Sequence, residues 1–208
     1  MSEREYDLVV VGAGPAGSSA AYAAAKNGIK VALLEKEENV AQTVRTSGVT
    51  WIDYAKEFGI PEDCYNPIRT YKFCSPNNTI SISDDQPKAA VLDVRKTYRF
   101  LADQAKKNGA EIFVNTNVTK TITENGKVVG VEASSSNKEI TFRAKMVIDA
   151  SGFQSAVSKS LGLVKQWKRF GVGAEYEAEV ENVNSDTCLL YTSPSPRDRT
   201  RSRMPSSA

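Results

Sequence analysis

Histidine is absent from the 208 residues. That removes histidine-based catalytic triads, histidine metal sites and imidazole proton shuttles together. Cysteine is scarce. Cys64, Cys74 and Cys188 show no C-x-x-C spacing, so neither a disulfide framework nor a metal site is expected, and the usage suits a reducing, cytoplasmic setting. No apolar run approaches the roughly 18 residues that a membrane-spanning helix needs. The charged start Ser2-Glu-Arg-Glu, followed by only a short apolar stretch, does not read as a signal peptide. A basic face is lacking too. The net charge of +2 comes from Arg197, Arg199, Arg201 and Arg203 near the end. Without residues 187–208 the body holds 23 basic and 24 acidic side chains, so nucleic acid is not an expected partner.

What is present is concentrated at the start. Tyr6-Asp-Leu-Val-Val-Val reads as a buried strand, and it runs into Gly12-Ala-Gly14-Pro15-Ala16-Gly17 and a helix of small residues. A second apolar strand, Lys30-Val-Ala-Leu-Leu, ends on Glu35 eighteen residues after Gly17. Strand, G-x-G-x-x-G turn, helix, strand and terminal acid form the recognition kit for an adenine dinucleotide. The first glycine permits the tight turn, the second lets backbone approach a pyrophosphate, and the third lets the helix pack on the sheet. The helix N-terminus adds about half a positive charge. The Glu35 carboxylate accepts from a ribose diol and repels a 2′-phosphate, which selects FAD or NAD over NADP.

Along the chain the first helix is expected over about Pro15 to Asn27, closed by Asn27-Gly28. A loop with a short helix near Ile52 to Phe58 follows. Thr70–Cys74 and Thr79–Ser83 read as a hairpin about Asn77-Asn78. Asp93 reads as an N-cap, and Tyr98, Leu101, Ala102 and Ala105 keep helical spacing behind it. Short strands are expected at 111–114, 118–123, 128–133 and 140–143, forming a β-meander, and then a separate apolar strand from Lys145 to Asp149 with a helix over about Ser155 to Leu161. Val172 to Val180 alternates strictly, as a half-buried strand of a second sheet does. In residues 187–208, twelve of 22 are Ser, Pro or Arg, without periodicity, so disorder is expected. The string from Tyr191 onward resembles translated adapter or vector read-through, which would put the end of the native protein near residue 186.

Three further features could touch a ligand. Arg95 lies in the first turn of its helix, where a cation opposes the helix dipole; it marks either a bound anion or a solvated arginine. Arg45 lies in the loop Val44-Arg-Thr46-Ser-Gly48 soon after the second strand, and is either a phosphate or flavin contact or an exposed loop residue. Asp149-Ala-Ser-Gly152 ends a strand of the same parallel sheet, where ligands gather. No side chain reads as a nucleophile or a general base, so the catalytic residues are unassigned. That suits a reaction carried by a cofactor.

Taken together, Gly12-x-Gly14-x-x-Gly17 with Glu35, the Arg95 helix and Val147-Ile-Asp149-Ala-Ser-Gly152-Phe-Gln-Ser155 resemble the geranylgeranyl reductase family of FAD-dependent oxidoreductases, within the p-hydroxybenzoate hydroxylase-like group, over about residues 5–182. The resemblance implies an α/β fold: a glutathione-reductase-type, Rossmann-like FAD domain with a β-meander insertion and the beginning of an antiparallel substrate sheet. On that reading residues 1–66 and 91–165 form the FAD domain, 67–90 and 166–186 a partial substrate domain, and 187–208 a non-native tail. It implies FAD held by Gly12, Gly14, Pro15, Ala16, Gly17, Glu35 and Lys36, with Arg45, Thr46 and Gly48 near the flavin and Arg95 near the pyrophosphate. Val118 is placed toward the adenine, and Asp149 and Gly152 complete the set. Members reduce isoprenoid double bonds, which implies an isoprenoid or other apolar substrate, ferredoxin or NAD(P)H as electron donor, and peripheral contact with the inner face of the membrane.

Two departures bear on this. Archaeal lipid reductases often carry Arg-Cys-Gly-Glu-Gly where this chain reads Arg45-Thr-Ser-Gly48, so no cysteine-dependent step is assigned. The family's later Gly-Asp segment, which returns to the FAD, is not found before residue 186, so weak FAD binding without turnover is expected. Two other functions fit the same motifs. A flavin monooxygenase or halogenase would couple oxygen to product. A non-catalytic flavin electron-transfer subunit would favour cluster-binding cysteines, which the three scattered cysteines do not supply.

Overall fold

The structure, a computed structural model, describes residues 2–136, 138–164 and 184–191. In chain order the elements are β1 (Ser2–Val11), α1 (Pro15–Lys26), β2 (Val31–Leu34), β3 (Val49–Trp51), α2 (Ile52–Glu57), β4 (Tyr65–Ile68), β5 (Thr70–Cys74), β6 (Thr79–Ser83), β7 (Ala89–Leu92), α3 (Val94–Lys107), β8 (Glu111–Phe113), β9 (Thr116–Glu124), β10 (Lys127–Ser135), β11 (Lys138–Asp149), α4 (Ala156–Ser160) and β12 (Thr187–Tyr191). Short 3₁₀ turns occupy Glu62–Cys64 and Gly152–Gln154. The described residues divide into two units, 2–47 with 93–164, and 48–92 with 184–191.

The first unit is built on a six-stranded sheet in the order β8-β2-β1-β11-β10-β9. β1 pairs in parallel with both β2 and β11, and β8 extends the parallel half beyond β2. The register sets Val11 beside Leu34 on one side and beside Asp149 on the other. Three strands therefore end in one row, and the turns that leave them meet. That row places the site.

Helices α1 and α3 cover one face. Leu8, Val10, Val31 and Leu33 pack there against Ala21, Ala25 and Ala105, all buried. The other face gathers Val9, Val11, Leu34, Val131, Phe142 and Val157. Phe113 meets Phe142 edge-on with ring centroids 5.2 Å apart. Burial of apolar side chains at about 25 cal/mol per Å² is the dominant stabilising term in such a two-faced sheet.

β11 departs from the sequence reading. The expected strands at 140–143 and 145–149 are one twelve-residue element. Its first half pairs antiparallel with β10, from Gly130↔Arg143 to Ser135↔Lys138, while its other edge pairs with β1 from Ile140 to Asp149. The charged start of β1 forms the matching partner, so the strand opens at Ser2 rather than Tyr6.

In the second unit, β7 pairs antiparallel with β3 and with β4. This moves the division of the chain. Residues 48–66, expected in the dinucleotide fold, supply β3 and the first half of β4, both partners of β7, and the breaks fall at 47/48 and 92/93. The hairpin of β5 and β6 forms as read, with the Ser75 N–H donating to the Asn78 carbonyl at 2.8 Å. β12 pairs in parallel with β5 over Thr187–Tyr191. Disorder from residue 187 is thus corrected for its first five residues. Composition averaged over 22 residues hid Thr-Cys-Leu-Leu-Tyr, which meets the backbone edge of β5. Residues 192–208 and the alternating stretch 172–180 lie outside the described residues.

Candidate cofactor cleft

A cleft of about 350 Å³ opens where β1, β2 and β11 end, inside the first unit. Gly12 leaves β1 with its N–H donating to the Leu34 carbonyl at 2.7 Å and its φ at +102°. A Cβ at Gly12 would stand 2.5 Å from the Ala150 carbonyl oxygen. A Cβ at Gly17 would stand 1.9 Å from the Gly12 oxygen, so α1 lies against the turn with no room for a methyl group. Gly14 differs: its backbone suits any residue, and nothing lies within 4 Å of where its Cβ would be. Its missing side chain leaves space facing the cleft, which is what the approach of a pyrophosphate requires.

The helix termini of the unit are not equivalent. α3 is capped by the Asp93 carboxylate, which accepts from the Lys96 N–H at 2.9 Å. The N–H groups of Ala156 and Ser158 in the first turn of α4 donate to the Ser151 Oγ and an Asp149 oxygen. α1 has no side-chain cap and no acid in its first turn, and Pro15 and Ala16 line the cleft. The twelve-residue α1 is therefore the terminus whose partial positive charge remains for an incoming anion.

Glu35 sits half-buried beyond β2. Its Oε2 accepts the Ala13 N–H at 2.9 Å and its Oε1 the Glu37 N–H at 3.0 Å. Each carboxylate oxygen has two lone pairs, so capacity remains for a ribose hydroxyl. Glu37, which the sequence reading passed over, accepts the Thr43 N–H at 3.0 Å and lies 3.5 Å from the Arg45 guanidinium. It ties the loop after β2 to the cleft wall.

Across the cleft runs Ala150–Ala156. The Asp149 carboxylate accepts four hydrogen bonds, from the Ser151 N–H (3.2 Å) and Oγ (2.5 Å) and from the Ser158 N–H and Oγ (both 2.7 Å). Burial pushes this carboxyl up, and the serine hydrogen bonds outweigh that and hold it below the ordinary aspartate value. Half-buried Tyr98, on α3, lines the cleft, and burial raises its phenol.

Of the residues proposed from sequence, Gly12, Gly14, Pro15, Ala16, Glu35, Lys36, Arg45, Thr46, Val118 and Gly152 line this cleft. Gly17, Gly48, Arg95 and Asp149 do not. Gly17 shapes the turn from behind. Gly48 belongs to the second unit. Arg95 is exposed one helical turn before Tyr98, and Asp149 faces Ser151 and Ser158. Glu37, Thr43 and Tyr98 line the cleft without having been proposed, and Ser151 does so from within the Asp149-Ala-Ser-Gly152 motif. Tyr98 was legible as three residues beyond Arg95, on the same helix face. Among the described residues no group of three or more Cys, Asp or Glu is placed to hold a metal.

A dinucleotide-type seat at the ends of parallel strands defines an FAD- or NAD-binding α/β protein. Residues 7–157 match the family of FAD dependent oxidoreductases, and the chain belongs to that family, whose cofactor is FAD. It is 34% identical over 195 residues to the digeranylgeranylglycerophospholipid reductase of Methanocella arvoryzae, covering 90% of this chain and 50% of that protein. A geranylgeranyl bacteriochlorophyll reductase-like protein from Thermoplasma acidophilum superposes with a TM-score of 0.73 at 27% identity, covering 92% of this chain and 51% of that one. The myxobacterial FAD-dependent halogenase CndH superposes at 0.62 with 21% identity over 76% of this chain and 39% of its own, a likeness of fold alone. The chain spans about half the length of the curated relatives it matches.

The open space at Gly14, the uncapped start of α1 and the spare acceptors of Glu35 fit the diphosphate and ribose of FAD.

Proposed function

We propose that this chain provides the FAD seat of a reductase acting on geranylgeranyl groups of lipids. The observation that carries the reading is the 34% identity, across 90% of the chain, to a digeranylgeranylglycerophospholipid reductase; the family match over residues 7–157 spans the whole cleft. In this reading the α1 N-terminus, Gly12 and Gly14 receive the pyrophosphate, Glu35 the ribose, and Val118 borders the adenine. Arg45 and Thr46 lie toward the flavin side, and Arg95 reaches the phosphates only by extending from α3. When bound, FAD supplies hydride transfer to a carbon–carbon double bond. The protein binds, orients and excludes water. The substrate is an isoprenoid chain, and the electrons come from ferredoxin or NAD(P)H. The protein works in the cytoplasm, in peripheral contact with the inner face of the membrane that carries its substrate. No helix among the described residues is long and apolar enough to cross a bilayer.

The test is anaerobic. The protein is loaded with FAD, reduced with dithionite and mixed with a geranylgeranylated phospholipid. Reoxidation of the flavin with two hydrogens gained per double bond, read by lipid mass spectrometry, supports the reading. Reoxidation that occurs only once oxygen and a halide salt are admitted, with a hydroxylated or halogenated product, would replace it with the monooxygenase or halogenase reading. FAD binding with neither reaction is the result expected if residues outside this chain complete the catalytic site.

A further inference from the structure

We infer that Asp149 is a positioning residue that fixes the far wall of the cofactor cleft and does not itself touch the cofactor. α4 begins at Ala156 behind Ser155, whose backbone is left-handed (φ 46°, ψ 49°) and whose side chain makes no cap. The first-turn N–H groups of a helix need acceptors. Asp149 and Ser151 provide them from the strand end: Ser151 Oγ takes the Ala156 N–H at 2.7 Å, and an Asp149 oxygen takes the Ser158 N–H at 2.7 Å. The other Asp149 oxygen holds the Ser151 hydroxyl in place at 2.5 Å. One carboxylate thus closes a ring from β11 to α4, and the segment inside that ring supplies Ala150, Ser151, Gly152, Gln154 and Ala156 to the cleft. The same segment is wedged against the glycine turn, since the Ala150 N–H donates to the Val11 carbonyl at 2.9 Å. Two opposed walls of the cleft are therefore set from the one row of strand ends.

The inference rests on the FAD reading of the cleft. Its alternative is direct contact with the cofactor's phosphates, and the two differ in sign. A carboxylate facing the cofactor's phosphates repels them, so D149N would tighten binding or leave it unchanged. An amide keeps only one acceptor oxygen for the four donors on this carboxylate, and its nitrogen offers donors where acceptors are needed, so it replaces the carboxylate only in part.

In the 208-residue chain, FAD affinity is read by fluorescence quenching for the wild type, D149N, S158A and the double variant. D149N is expected to weaken FAD by about tenfold or more, from the loss of charge-assisted hydrogen bonds. The salt dependence should not change, and the visible spectrum of the remaining bound flavin should move toward that of free FAD. S158A is expected to weaken FAD less, and the double variant no more than D149N alone. Equal or tighter binding by D149N overturns the inference, as does full additivity. If D149N does not fold, S158A decides: weaker FAD supports the inference and unchanged affinity overturns it. If the wild type binds no FAD, the cofactor reading fails. Amide exchange then decides the inference alone, with faster exchange at positions 156 and 158 in S158A supporting it and unchanged protection overturning it.

Discussion

The Ala13 N–H donates to the Glu35 carboxylate at 2.9 Å, so the glycine turn after β1 and the acid after β2 are hydrogen-bonded to each other. The acid is usually read as a ribose acceptor alone. In this chain it also fixes the backbone of the glycine turn, beside the proposed pyrophosphate seat. E35A should therefore damage both functions. An expected loss of about 1.5–3 kcal/mol in FAD binding should accompany a lowered melting temperature of the FAD-free protein. E35Q, which keeps one acceptor oxygen, should fall between. Isothermal titration with FAD, paired with calorimetry without it, checks both.

Two glycines separate folding from binding. G17A forces a methyl group 1.9 Å from the Gly12 oxygen and should cost about 1–3 kcal/mol or more of stability. G14A adds its methyl to open space and should leave the melting temperature nearly unchanged while weakening FAD at least about tenfold, because the group occupies the pyrophosphate's approach. Thermal melts and FAD titrations of the pair give the contrast. Equal loss of stability in both would contradict it.

The Glu37–Arg45 pair should act on binding more than on stability. Arg45 is 62% exposed, and such pairs contribute roughly 0–1 kcal/mol. E37A should unlatch Thr43 and Arg45 from the wall, weakening FAD several-fold with a small change in melting temperature. R45A should weaken FAD and flatten the salt dependence of its binding. Titrations at low and high salt separate the two.

Stability should fall at acid pH in a way that Asp149 controls. Its carboxyl is held below the ordinary value of 3.8, so its stabilising contribution is fully present above that value and is lost as pH falls through the lower folded value. Urea unfolding from about pH 5 downward should show a steeper loss in the wild type than in D149N. Parallel curves would mean that the serine hydrogen bonds do not favour the ionised form.

Much of the parallel half was legible because its signals are local. Gly12 and Gly17 show the close backbone contacts the motif assigns to them, and Asp93 caps α3 as its position suggested. The misses are long-range. Nothing near Lys145 says that 140–143 and 145–149 form one strand, because the partner that joins them is the charged start of β1. Residues 48–66 look loop-like until β7 supplies their ladder. The hydrogen bonds of Asp149 to Ser158 carried no sequence signal, because only the folded chain brings Ser158 to its second oxygen. Glu37 carried no spacing signal, since its partners Thr43 and Arg45 are set by the fold of the loop.

The pairing of β1 with β11 has a kinetic meaning. The first strand of the chain waits for one that begins at Lys138, and the whole second-unit segment 48–92 lies between them in sequence. Closing so long a loop costs entropy before any contact repays it, and such non-local parallel pairing is slow. During synthesis the glycine turn and Glu35 emerge early, yet the opposite wall of their cleft does not exist until Ala156 has left the ribosome. Acquisition of FAD is therefore expected to come late, after completion of the central sheet, because the strand order separates the two halves of the seat along the chain.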